Sequence, residues 1–329
     1  MNRATIVSFY QYQPQGLTQY YRTFFEHFKK SLKVWGKEVD KIYIVDQDWH
    51  FTDKDKADLK ELTNDFEIME SVNQGHHWVQ FHDLLPRVKE ENVMIMDNDM
   101  FIYKKGFIDS KFKLIEEEGY ELVSMFDGSG GMRGLIWDKF PQLKEKEYIR
   151  IGPYLSLIKR KYLDGLDFAP KYYEEGTYIP EIDYKTVKGD WLDSFGEATI
   201  KILAQKPKMT FIEDDRTSLF FFPDHGISKA FEGQNTGCYH IRNWNLGLHF
   251  INERRNIRQN YDHFRSITPI QECFRVLGWL WVLADASGTM DSNLQEDALQ
   301  VVRDYGATNE EWYEFIKQFK ELHPWIGTI

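Results

Sequence analysis

Two carboxylates one residue apart, Asp97 and Asp99, lie inside the stretch VMIMDNDMFIY, residues 93–103. Side chains alternate along a strand, so the pair would share one face. Two anions held that close repel each other, and apolar flanks worsen the repulsion by desolvating both. Either a cation sits between them, or the strand ends at Met96 and the acids are solvated at its mouth. Mg2+ and Mn2+ prefer carboxylate oxygens and keep open positions for phosphate oxygens and water. An Asp-x-Asp of this kind therefore suits a hard divalent ion that carries a diphosphate.

Other side chains are capable of chemistry. Asp193 and Glu197 are four apart and, on a helix, would share one face. Either carboxylate could deprotonate a hydroxyl within reach; the bland alternative is Asp193 as a helix N-cap with Glu197 solvated. His240 lies in GQNTGCYHIRN, where glycines permit close backbone approach. Its imidazole is either a metal or phosphate contact or a hydrogen-bonded core residue. Arg242, two residues on and on the same strand face, suits a phosphate oxygen. His76 and His77 read as a surface loop ahead of a helix. The loop DGSGGMRG, residues 127–134, has the glycines of a phosphate cradle. Its spacing fits neither a P-loop nor a dinucleotide fingerprint, and it reads as a mobile loop.

The frame that must position these residues is alternating. ATIVSFY (Ala4–Tyr10), KIYIVD (Lys41–Asp46), NVMIMD and YELVSMFD are rich in β-branched and apolar residues and predict strands. LTQYYRTFFEHFKKSLKVWG predicts an amphipathic helix ending near Gly36, and WVQFHDLLPRVKEE a helix before the third strand. Strand–helix alternation predicts a mostly parallel sheet covered by helices, with ligands beyond the strand carboxyl ends. Asp46, Asp48, Asp97 and Asp99 all fall at such ends. From about Arg254 the pattern turns helical. Thr268-Pro269 is a helix start, and Thr308 with Glu311 has the spacing of a capping box. The expected division is a domain over residues 1–250 and a helical C-terminal region over residues 251–329 packed on it.

Composition narrows the function classes. The 329 residues carry 41 Lys+Arg against 52 Asp+Glu, a net charge of −11, so the overall field does not steer the chain onto nucleic acid or anionic membrane. Five arginines between Arg242 and Arg265 read as a decorated helix face or a local basic patch. Two cysteines, Cys238 and Cys273, have no metal-ligand spacing and suit a reducing compartment. The N-terminal apolar run is short for a signal peptide, and FRVLGWLWVLADA is short for a membrane span. The expectation is a cytoplasmic protein with no integral membrane segment.

The order of these motifs resembles the GT-A class of nucleotide-sugar-dependent glycosyltransferases, over roughly residues 4–250. The resemblance implies a GT-A-like α/β fold, a mostly parallel Rossmann-type central sheet flanked by helices with a helical C-terminal appendage. TIVSFYQYQPQGLTQYY is similar to the strand and loop that receive the nucleotide, implying Ser8, Phe9 and Tyr10 in the base pocket. IYIVDQD implies Asp46 near base or ribose. IMDNDMF matches the family's metal motif, implying Asp97 and Asp99 as ligands of Mn2+ or Mg2+ with Asn98 on the donor side. IGPYLSLIKRKYL resembles the acceptor-side strand, around Gly152 and Ser156. GDWLDSFGEATIKILAQKPKMTFI resembles the acidic segment opening a helix, implying Asp193 and Glu197 as catalytic candidates with Trp191 beside the acceptor. GCYHIRN implies His240 as the third metal ligand, with Arg242 toward the diphosphate. Many inverting members carry an adjacent acidic pair here whose second acid is the base. This chain has Ala198 after Glu197, which leaves the stereochemical course open.

The function that this resemblance implies is that of a metal-dependent glycosyltransferase. It would move a sugar from a nucleotide diphosphate sugar, UDP-linked in most relatives, to an acceptor hydroxyl. The acceptor classes are a glycan, a lipid-linked sugar, a protein side chain or a modified nucleobase. Two other readings stand beside it: a nucleotidyltransferase using the same strand-end metal site, and a non-catalytic carbohydrate-binding protein on this fold. A nucleotidyltransferase would want a basic signature near its first strand, and SFYQYQPQGLTQYY is nearly uncharged.

Overall fold

A computed structural model describes residues 2–10, 18–47, 51–70, 84–128, 130–213, 218–222, 226–230, 236–241 and 270–327. For some of these, Ser8, Phe9, Tyr10 and Asp46 among them, only the backbone is described. The chain runs through β1 (Arg3–Tyr10), β2 (Lys41–Gln47), β3 (Phe66–Glu70), β4 (Asn92–Asp97), β5 (Met100–Ile102), β6 (Leu122–Asp127) and β7 (Arg150–Lys159). It continues with the short strands β8 (Lys171–Tyr172), β9 (Tyr178–Ile179), β10 (Tyr184–Lys185) and β11 (Trp191–Leu192). The later strands are β12 (Met209–Phe211), β13 (Ser218–Phe222), β14 (Gly226–Ala230) and β15 (Cys238–His240).

Seven of these strands make one sheet in the order β12-β6-β7-β4-β1-β2-β3. The pairs β1–β2, β1–β4, β2–β3 and β6–β12 are parallel, and only β7 runs against its neighbours β4 and β6. The mostly parallel α/β sheet expected from the alternation is therefore present. Its central strands are buried on both faces, which is why β4 reads Val-Met-Ile-Met without alternation. Each such side chain contributes about 1.5–3 kcal/mol by leaving water.

The helix expected over WVQFHDLLPRVKEE does not reach Glu91. Residues 71–83 lie outside the described ones, Leu85–Arg87 is one 3-10 turn with Pro86 in its first turn, and Val88 is already extended. Proline removes the donor and crowds the preceding turn, so the helical pattern stops there. The C-terminal helices are as expected: Ile270–Ser287, Ser292–Asp304 and Asn309–Leu322. The capping box of Thr308 and Glu311 makes both of its reciprocal bonds.

Compactness divides the chain differently from the expected boundary at residues 250 and 251. One unit comprises Met1–Tyr10, Trp35–Asp97 and Gly106–Glu213; the other comprises Gln11–Val34, Asn98–Lys105 and Asp214–Ile329. The cause is local packing. In the helix Thr18–Trp35, the Thr23 hydroxyl meets Thr289 at 2.8 Å and Lys30 Nζ donates to the Ala286 carbonyl at 2.7 Å. His27 meets the Trp325 ring. An early helix thus belongs with the late ones.

Each unit has its own core. The first holds the sheet, with Arg3 buried over the Phe112 ring and paired to Asp109 and Glu116. The second is aromatic: Trp279 packs on Tyr239 at 4.5 Å, His323 at 4.6 Å and Phe319 at 4.8 Å, while His27 packs edge-on to Phe101 at 4.5 Å. Burial pushes both histidines down to about 3, so they are neutral members of that core.

Candidate metal centre and active-site residues

β4 ends at Asp97, and Asn98 and Asp99 turn the chain into β5. β5 pairs antiparallel with β15, with Met100 opposite His240 and Phe101 opposite Tyr239. That register seats His240 opposite the residue that follows Asp99, at the turn that carries the acid. The Ile241 N–H closes the turn by donating to the Asp99 carbonyl at 3.2 Å. Tyr239, one residue away, points to the other face and enters the aromatic core.

Asp99 and His240 are both buried, with His240 Nε2 3.2 Å from Asp99 Oδ1. One ligand atom from each of Asp97, Asp99 and His240 lies within 4.8 Å of the others. Asp99 Oδ1 accepts no hydrogen bond of regular geometry among the described residues. A buried carboxylate oxygen in that state costs free energy unless a cation meets it. Two carboxylate oxygens and an imidazole nitrogen fit Mn2+ or Mg2+ as donors. Asn98 is buried too, and its Nδ2 donor has no acceptor among the described residues.

A second group of charged residues gathers at the carboxyl end of β6. Register puts Asp127 opposite Arg150 at the start of β7. The buried Arg150 guanidinium donates to Asp127 Oδ2 at 2.8 Å, lies 3.0 Å from Asp193 Oδ2, and donates to the Ser194 carbonyl at 2.5 Å and hydroxyl at 2.7 Å. The Tyr154 hydroxyl donates to the same Asp127 oxygen. Burial first, then the charge of Asp127, raise this phenol well above its ordinary value, so it remains a donor. Asp97 also acts on it electrostatically. These residues had only weak signals in sequence. Asp127 closes a strand as Asp97 does, but Arg150 and Tyr154 become partners only through antiparallel pairing.

The helix expected to carry Asp193 and Glu197 on one face begins later, at Gly196. Asp193 precedes it, so the two carboxylates are not brought together by helical spacing. Asp193 is not its side-chain cap either: the cap position is Phe195, in the left-handed region at φ 64°. Asp193 Oδ1 instead accepts the Ser194 N–H at 2.7 Å. Glu197 faces lysines, with Lys201 Nζ at 2.5 Å and Lys171 Nζ at 3.7 Å.

On the expected acceptor side, Gly152 is needed for space: a Cβ there would meet the Tyr154 ring at 2.7 Å and the Met125 carbonyl at 3.1 Å. Ser156 has no exposed surface, and its hydroxyl is engaged with Ser124 at 2.6 Å and the Gly152 carbonyl. In this conformation it offers an acceptor no contact. Trp191 is 37% exposed. The glycine loop abuts it, since a Cβ on Gly131 would lie 2.3 Å from the Trp191 carbonyl. Arg242, His76, His77 and Asp48 lie outside the described residues, as do the side chains of Ser8, Phe9, Tyr10 and Asp46.

No family model matches the chain, and no curated protein matches it. Among solved structures it is similar to the mannosyltransferase PcManGT from Pyrobaculum calidifontis in complex with GDP-Man and Mn2+. That match has 10% identity and a TM-score of 0.41, covering 99% of this chain and 84% of the other. It is also similar to S. aureus TarS 1–349, at 11% identity and a TM-score of 0.40, covering 98% of this chain and 92% of the other. A third is glucosyl-3-phosphoglycerate synthase from Mycobacterium tuberculosis, at 16% identity and a TM-score of 0.34, covering 51% of this chain and 59% of the other. Likenesses this distant carry no argument for an activity. Among the described residues no helix is long and apolar enough to cross a membrane.

Proposed function

We propose that the protein is a metal-dependent glycosyltransferase that moves a sugar from a nucleotide diphosphate sugar, UDP-linked, to an acceptor hydroxyl in the cytoplasm. One observation carries the reading. Asp97, Asp99 and His240 converge beside the carboxyl end of a central strand, with a buried Asp99 oxygen that accepts no hydrogen bond among the described residues. Those three residues would hold Mn2+ or Mg2+, and such an ion when bound neutralises a diphosphate and favours its departure.

The remaining roles fall to the chain's own residues. Asn98 offers its unspent Nδ2 donor to a phosphate oxygen, and Arg242 a guanidinium. Ser8, Phe9, Tyr10 and Asp46 stand at the ends of adjacent parallel strands, where a nucleotide would lie. Asp193, oriented by Arg150 and Ser194, accepts the proton of the acceptor hydroxyl as its oxygen bonds the anomeric carbon. The bond from that carbon to the diphosphate oxygen breaks, and its electron pair leaves with the nucleotide. Glu197, held by two lysines, stays in reserve as a positioning residue. Gly152 and Ser156 support the acceptor side from within the sheet.

Incubation with a panel of nucleotide sugars, with and without Mn2+, tests the reading. Nucleotide release that needs the ion and a sugar donor is expected. Full-rate turnover in excess chelator removes the metal role, and no nucleotide response to any donor removes the function.

A further inference from the structure

Among the described residues, four of the five large apolar side chains standing in solvent fall within residues 172–191: Tyr172, Tyr178, Val187 and Trp191. Two of them form a unit. β8 and β11 pair antiparallel with Tyr172 directly opposite Trp191. Opposite residues in such a pair share a face, and here the rings lie 19° from parallel with centroids 6.4 Å apart. Tyr172 is 82% exposed. The Gly131 backbone lies along one edge of the indole.

The chain then places chemistry beside it. β11 ends at Leu192 and Asp193 follows it, and neighbouring glycines touch both: a Cβ on Gly131 would lie 3.0 Å from the Trp191 ring, and one on Gly130 3.8 Å from the Asp193 Cβ. The Asp193 carboxylate is held by Arg150 and the Ser194 N–H. A flat aromatic surface next to an oriented carboxylate matches a sugar ring, whose C–H face stacks on aromatics and whose edge hydroxyls donate to the acid. A phosphate-bearing polymer does not match. Residues 167–197 hold eight acidic residues against three lysines, a field that repels polyanions.

We propose that the acceptor is a neutral oligosaccharide, its rings lying on Tyr172 and Trp191 and one of its hydroxyls bonded to Asp193. Its role as acceptor rests on the glycosyltransferase reading; the binding surface does not.

Ligand-observed NMR on the full chain tests this with maltohexaose, cellohexaose and mannan and chitin oligomers as probes, and nucleosides and a single-stranded oligonucleotide in parallel. At least one neutral oligosaccharide should bind. Trp191→Ala should weaken that binding about tenfold and Trp191→Phe should restore most of it. If Trp191→Ala fails to fold, Tyr172→Ala, at a site of high exposure, should show a loss in the same direction. Binding that ignores both substitutions overturns the proposal, as does binding of the nucleic-acid probes alone or of no probe. The melting response of the wild type to UDP with Mn2+ separates the two readings. Glycan binding without that response leaves the platform and removes the transferase; the response without glycan binding does the reverse.

Discussion

Two carboxylate groups at strand ends differ in the partner that the described fold sets beside them. Asp127 and Asp193 share a guanidinium supplied by the fold, with Arg150 bonded to both and to Ser194. Asp97 and Asp99 have His240, whose Nε2 stands 3.2 Å from Asp99 without completing a hydrogen bond. An imidazole beside a carboxylate is a metal-ligand type of partner, which a guanidinium is not. A carboxylate pair with a built-in cation reads as an orienting device. One that meets an imidazole reads as a candidate ligand set.

Acid should separate the supporting cores most strongly. His27 and His323, at about 3, lie below the 6.5 of an ordinary histidine. The unfolded chain therefore binds protons that the folded chain does not. Their contribution to stability is complete above pH 6.5 and drains as pH falls toward 3. At pH 5 the loss is about 2 kcal/mol per histidine. Urea unfolding at pH 7 and 5 measures it, and His323→Phe should flatten the slope; equal slopes would refute the assignment.

Removing the internal cation is the next largest perturbation. Arg150→Met removes the cation that the two carboxylates share and should cost about 3 kcal/mol, the low end for a broken buried pair because both acids keep some solvent. Denaturant midpoints read it directly. Asp99→Asn is the complementary cut. It should abolish the rise in melting temperature produced by Mn2+ with UDP and lower sugar transfer about 100-fold, while the ion-free protein keeps or gains stability. An undiminished melting response would show that the ion binds elsewhere. Smallest is Asp193→Asn, which keeps shape and loses the proton acceptor. A fall in kcat of about tenfold or more with unchanged nucleotide affinity is expected. Loss of affinity instead would place Asp193 on the donor side.

Much of the sheet was legible because buried parallel strands need apolar runs, and β1, β2, β4 and β6 have them within a residue or two of their observed limits. The first acidic pair was legible for the same reason, lying just past such a run. His240 was visible as a candidate, but its pairing with Asp99 depends on the β5–β15 register, which no spacing reveals. Arg150 gives no periodic signal in EYIRIGPY; its two carboxylate partners come from residues 23 and 43 positions away. The amphipathic stripe of the first helix shows that something covers it, and sequence does not say that the cover is the C-terminal helices.

That cover has a consequence in time. Thr23 and Thr289 are 266 residues apart, and Lys30 and Ala286 are 256 apart. Loop closure grows only as the logarithm of length, so the equilibrium penalty is modest. The rate is another matter, since long sequence separations slow folding and expose unfinished surfaces. During synthesis the helix Thr18–Trp35 emerges early and must wait for partners translated last, while most strands of the sheet are already available to pair. The aromatic face around His27 and Phe101 is then the surface a chaperone would meet on the growing chain.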